Sequence, residues 1–224
     1  MRNSWGAAWA DRSFRSALLT GGTFLIMIAF LLPRFFAFIE KRPGIGLYDP
    51  LLAAVGPIDV STITFGILYP LILAGVIALL RSPYRFVRML HAYVILLLSR
   101  MITMYLITLE PPLTIIPLID PITQNFYPAD EPFLKDLFFS GHTATSVLFA
   151  LAVRPGRLRM ILAVGALIVA SLVLVQHVHY TVDVLAAPFF ATLAWALAGA
   201  LLDLFNVKGA DRTGYFDRFG SRFR

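Results

Sequence analysis

Cysteine is absent from this chain of 224 residues, which excludes disulfides and thiolate metal sites and removes the usual marker of redox compartment. Charge is scarce as well: 14% of residues are Asp, Glu, Lys or Arg, against 58% hydrophobic, and the mean hydropathy is +0.78. A soluble domain carries about a quarter charged residues, so this composition excludes a water-facing surface and indicates an integral membrane protein. Internal repeats, low-complexity linkers and a separable polar stretch are also missing, so residues 1–224 read as one domain. The net charge of +6 comes mostly from arginines near the ends of apolar segments. That placement fits membrane orientation and anionic lipid rather than nucleic acid.

What remains is apolar sequence in helix-length runs. A bilayer core of about 30 Å needs roughly 20 such residues at about 1.5 Å each. Six segments are expected to span: Ala17 to Phe38, Val60 to Leu80, Val87 to Leu109, Leu137 to Val153, Leu158 to Val178 and Val182 to Phe205. The fold class is therefore all-α, a polytopic six-helix bundle. The first run follows a basic N-terminus but meets no small-residue cleavage site before Pro33-Arg34, so it reads as a retained helix rather than a signal peptide. Pro70 and Pro188 inside apolar runs read as kinks that neighbouring helices accommodate.

Arginine clusters fix the expected orientation. Arg2, Arg12 and Arg15, then Arg81, Arg85 and Arg88, then Arg154, Arg157 and Arg159, then the tail from Lys208 to Arg224 fall on one side of six crossings. Both termini, including the basic tail 206–224, are thus expected in the cytoplasm. The tail could lie on anionic lipid or remain a disordered basic end. Short length and a preference for arginine over lysine lean toward a bacterial plasma membrane; in a eukaryote the opposite face would be luminal.

Two polar motifs interrupt the apolar sequence, DLFFSGHTATS (Asp136 to Ser146) and QHVHYTVD (Gln176 to Asp183), and both are expected at the outer face. A neutral imidazole can attack phosphorus, and a carboxylate on its other ring nitrogen fixes the tautomer. His179 and Asp183, four apart, suit those roles if the sixth helix begins near His179. His142 is the candidate acid for the departing oxygen. Ser140 and Gly141 beside it stand at a helix start, where amides hold phosphate oxygens. Arg100 lies about 15 Å inside its helix and is expected to face the bundle interior and a partner there, a phosphate or a carboxylate such as Asp183, or to form an internal structural ion pair. Asp136 is a candidate for the amine of a head group or for tuning His142. His177 is a candidate phosphate contact or a bond to a backbone carbonyl. Tyr105 and Thr103 line a pocket or simply pack, and His91 reads as interfacial. The connection 110–135, long and proline-rich, could roof the site.

SGHT with HxHYTxD, Asp136 in D-x-x-x-S-G-H, and the segment from Arg100 to Leu109 in the pattern R-x-x-T-M-Y-x-x-T-L together resemble the sphingomyelin synthase branch of the type 2 phosphatidic acid phosphatase (PAP2) superfamily. These motifs lie within 100–183. The superfamily's K-x6-R-P motif is absent and Val173 stands where its phosphatases carry an arginine, which favours the synthase-like branch; Glu110-Pro111-Pro112 and Val178 depart from that branch's usual residues. The resemblance implies transfer of phosphocholine or phosphoethanolamine from a glycerophospholipid to ceramide or another lipid alcohol, without metal or other cofactor. It makes His179 the nucleophile, Asp183 its orienting carboxylate and His142 the acid and then the base. The expected partners are a phospholipid donor, a lipid acceptor and the bilayer. With water as acceptor the same residues would give a lipid phosphate phosphatase or a phospholipase C, and a non-catalytic membrane scaffold is the third reading.

Overall fold

The computed structural model describes residues 4–118 and 133–207, so the middle of the proline-rich connection and nearly all of the basic tail lie outside the described residues. Eight helices occur among the described residues: α1 (Trp5–Ala10), α2 (Arg12–Glu40), α3 (Pro50–Ala54), α4 (Ser61–Leu80), α5 (Pro83–Leu106), α6 (Gly141–Ala152), α7 (Arg157–Val175) and α8 (Thr181–Leu204). Asp11 caps α2 by accepting from the Ser13 amide at 2.9 Å, and Pro83 opens α5 at the position where a missing N–H costs least. Pro33, Pro70 and Pro188 all lie inside helices.

Five helices, α2, α4, α5, α7 and α8, are long and apolar enough to cross a membrane. The fourth expected span differs. It forms only the 12 residues of α6, about 18 Å, because Phe138 takes a left-handed backbone (φ 85°) and Ser140 then caps the helix. The short helix still runs between the two ends of the bundle. At its beginning the Phe139 carbonyl accepts from Arg100 Nη1 at 2.7 Å, and at its end the Ala152 carbonyl accepts from Arg85 Nη1 at 2.6 Å. Arg85 and Arg100 are 15 residues apart on α5, about 22 Å. The non-helical residues before Ser140 thus make up part of the length that α6 lacks.

α6 is enclosed by α4, α5, α7 and α8. Close approach comes from small residues, as is usual where lipid removes the hydrophobic drive between helices. Ala187, Ala191, Ala194 and Ala198 form one buried stripe along α8. Gly75 of α4 admits the Phe149 ring of α6, which would lie 2.5 Å from a Cβ there, and Gly165 of α7 admits Leu71. α2 packs on α5 at the periphery, where Gly21 meets His91.

Candidate active site

The turn 176–180 joins α7 to α8, and side-chain contacts from Gln176, His177 and Tyr180 dock it. The Gln176 side-chain amide donates to Ser61 Oγ at 2.8 Å and its oxygen accepts from the Val60 amide at 3.1 Å, tying the turn to the start of α4. His177 takes a left-handed backbone (φ 56°) and its Nδ1 meets Thr114 Oγ1 at 2.6 Å. Tyr180 donates its hydroxyl to the Glu110 carbonyl at 3.0 Å and accepts from the Leu47 amide at 3.2 Å. Burial pushes the Tyr180 phenol up from its ordinary value, the Leu47 bond opposes this, and the nearby carboxylates of Asp183, Asp49 and Glu110 reinforce it. The hydroxyl therefore stays a donor.

α8 begins at Thr181, so His179 stands just outside the helix while Asp183 sits in its first turn. Asp183 Oδ2 reaches back to accept from the Tyr180 amide at 3.2 Å, the return half of a capping box, and the same oxygen lies 3.4 Å from His179 Nδ1. Both side chains are buried. At 3.4 Å the two atoms are close without forming a hydrogen bond, and a carboxylate on that side favours the tautomer with its proton on Nδ1 and the lone pair on Nε2.

Ser140 joins the second motif to the first. Its backbone amide donates to the Asp183 carbonyl at 3.0 Å, while its hydroxyl caps α6 by accepting from the Thr143 amide at 3.3 Å. That link puts the ring of His142, in the first turn of α6, 6.4 Å from the ring of His179, centroid to centroid, at an interplanar angle of 62°. Phe65 of α4 stands edge-on to His142 at 5.9 Å. His142 is half-buried and His179 fully buried.

Arg100 is buried on the α5 face toward α6, ion-paired with Asp136 and donating to the Phe139 carbonyl. Gly141 is what lets it come so close, since a Cβ there would lie 2.5 Å from Arg100 Nη1. The carboxylate beside the buried guanidinium is Asp136 rather than Asp183, which is engaged with the Tyr180 amide. His142, His179, Asp183, Ser140, Gly141, Arg100 and Asp136 are therefore brought to one end of the bundle. Tyr105 is not among them. Five residues beyond Arg100, and so about 140° round the helix, it is exposed, stacked on Phe38 at 6.3 Å, with the Arg42 guanidinium 5.1 Å from its ring. Matching a motif string does not fix which face a residue takes.

Asp49, in the connection between α2 and α4, carried no signal in the sequence. Its Oδ2 accepts from the Thr181 amide at 2.6 Å and its Oδ1 from Thr181 Oγ1 at 3.0 Å, while the same carboxylate caps α3 through the Leu51 and Leu52 amides. Burial raises its pKa, but these bonds outweigh it and hold the carboxyl below its ordinary value. Glu110 is likewise lowered, by its bonds to Lys135 and to the Gly44 amide.

Among the described residues no cluster of three His, Asp or Glu side chains has the arrangement of a metal site. Residues 135–200, which contain both histidine motifs, match the family model described as PAP2 superfamily C-terminal. The matched segment is under a third of the chain, so the likeness is one of this segment. No curated protein matches the chain.

Proposed function

We propose, from the premise of a PAP2-superfamily segment within a bundle of membrane-length helices, that this protein is a lipid phosphotransferase resembling sphingomyelin synthase. The observation that carries the reading is the pair of imidazoles 6.4 Å apart, one of them backed by Asp183, a separation at which both rings can flank a single phosphorus. In the first step His179 Nε2 attacks the phosphorus of a glycerophospholipid. An N–P bond forms, the P–O bond to diacylglycerol breaks, and the proton on His142 passes to the departing oxygen. In the second step an acceptor hydroxyl attacks the phosphohistidine, its proton returns to His142, and the N–P bond breaks. Asp183 stabilises the charge that the His179 ring acquires between the two steps.

The synthase-like branch is favoured by a further contact. Arg100 and Asp136 come from the two segments that, beside the histidine motifs, resemble that branch, and they bond to each other beside Gly141. Read as six passes, with α6 and its non-helical lead-in as the short one, the chain would by the positive-inside bias have its arginine clusters in the cytoplasm and its histidines at the external face. Labelled phosphatidylcholine and phosphatidylethanolamine, supplied with and without ceramide, test the activity. A transferase yields a new ceramide-linked phospholipid; release of soluble head-group phosphate alone, with or without ceramide, would make it a hydrolase, and turnover of neither lipid would remove the proposal.

A further inference from the structure

Tyr180 is an unusual residue to start a helix, for its side chain makes no bond to the amides of α8 and is engaged instead with Leu47 and Glu110. The first amide of α8, on Thr181, is bonded by a carboxylate 132 residues away, that of Asp49. We infer that Asp49 is a positioning residue of the histidine site, acting as the N-cap that α8 does not supply for itself, and this rests on the phosphotransferase reading above.

The chain of contacts is short. Asp183 can lie 3.4 Å from His179 only while the first turn of α8 is closed, because the oxygen that faces the imidazole is the one that accepts from the Tyr180 amide. Two bonds to Asp49 hold Thr181, the first residue of that turn. A negative charge there also suits the positive end of the helix. The arm that carries Asp49 is itself fixed. The Ile45 amide donates to the Thr108 carbonyl at 2.9 Å, the Glu110 amide to the Ile45 carbonyl at 3.0 Å and the Gly44 amide to Glu110 Oε1 at 2.7 Å. Gly44 is required at that crossing, since a Cβ would lie 2.7 Å from the Leu109 backbone. One carboxylate thus joins the first outer connection, α3 and the nucleophile's turn.

Two substitutions separate this role from general stability. Asp49→Ala removes the acceptor. Thr181→Pro removes both donors while leaving a residue that a helix accepts at its first position, and Tyr180 already has the extended backbone (φ −69°, ψ 156°) that a following proline demands. Head-group release would be measured per folded molecule in lipid nanodiscs, well below each variant's melting temperature. Each substitution should lower kcat by about 10- to 100-fold with KM nearly unchanged, and the double variant should be no worse than the worse single one. Unchanged kcat in either single variant, or losses that multiply in the double, would overturn the inference. If the wild-type chain releases no head group from any lipid, the functional reading fails, and melting temperatures alone decide the link: non-additive shifts sustain it and additive shifts end it.

Discussion

His179 and Asp183 are four apart in sequence yet lie on opposite sides of a helix boundary, so their contact depends on a side chain reaching back rather than on two positions of one helix face. Asp183→Asn should therefore leave the fold intact and lower kcat by about 10²-fold or more, with little change in KM, whereas His179→Ala should abolish turnover. Steady-state head-group release from labelled phospholipid measures both. Gly141 makes a sharper test of packing. A methyl group at that position would displace the buried Arg100 guanidinium, so Gly141→Ala should cost about 1–3 kcal/mol of stability and reduce activity together with it. The types of residue in the site were legible in the sequence, since two histidine motifs in so apolar a chain have few structural uses. Their directions were not, as Tyr105 shows by facing Arg42 and Phe38.

At the scale of elements, the long apolar helices were read to within a few residues because length and hydropathy decide them. α6 was read too long: the same apolar composition continues through 137–140, and only the left-handed Phe138 and the Ser140 cap break it. Asp49 escaped notice for a different reason, as its role lies in a contact across 132 residues that no local pattern encodes. Its carboxyl is held below the ordinary value by the caps it makes on α3 and α8. Such a group contributes stability that is complete above the unfolded value of about 3.9 and is lost as pH falls through the lower folded value. Melting temperature should accordingly fall on acidification below about pH 4, and fall less steeply in Asp49→Asn.

For the whole molecule, the absence of cysteine provides a direct test of topology, because any introduced thiol is the sole one. Tyr48, 84% exposed beside the Asp49 arm, lies at the histidine end of the bundle, and Arg154, exposed beyond α6, lies at the other. In intact cells a membrane-impermeant maleimide should label Tyr48→Cys and spare Arg154→Cys until the membrane is permeabilised; the reverse pattern would invert the orientation. The proposed transfer requires His179 to carry the phosphoryl group between two lipids. Rapid-quench mass spectrometry of the wild-type chain mixed with phosphatidylcholine or phosphatidylethanolamine should find the head-group phosphate bonded to His179, absent in His179→Ala; an adduct on another residue, or undiminished transfer by His179→Ala, would contradict the account.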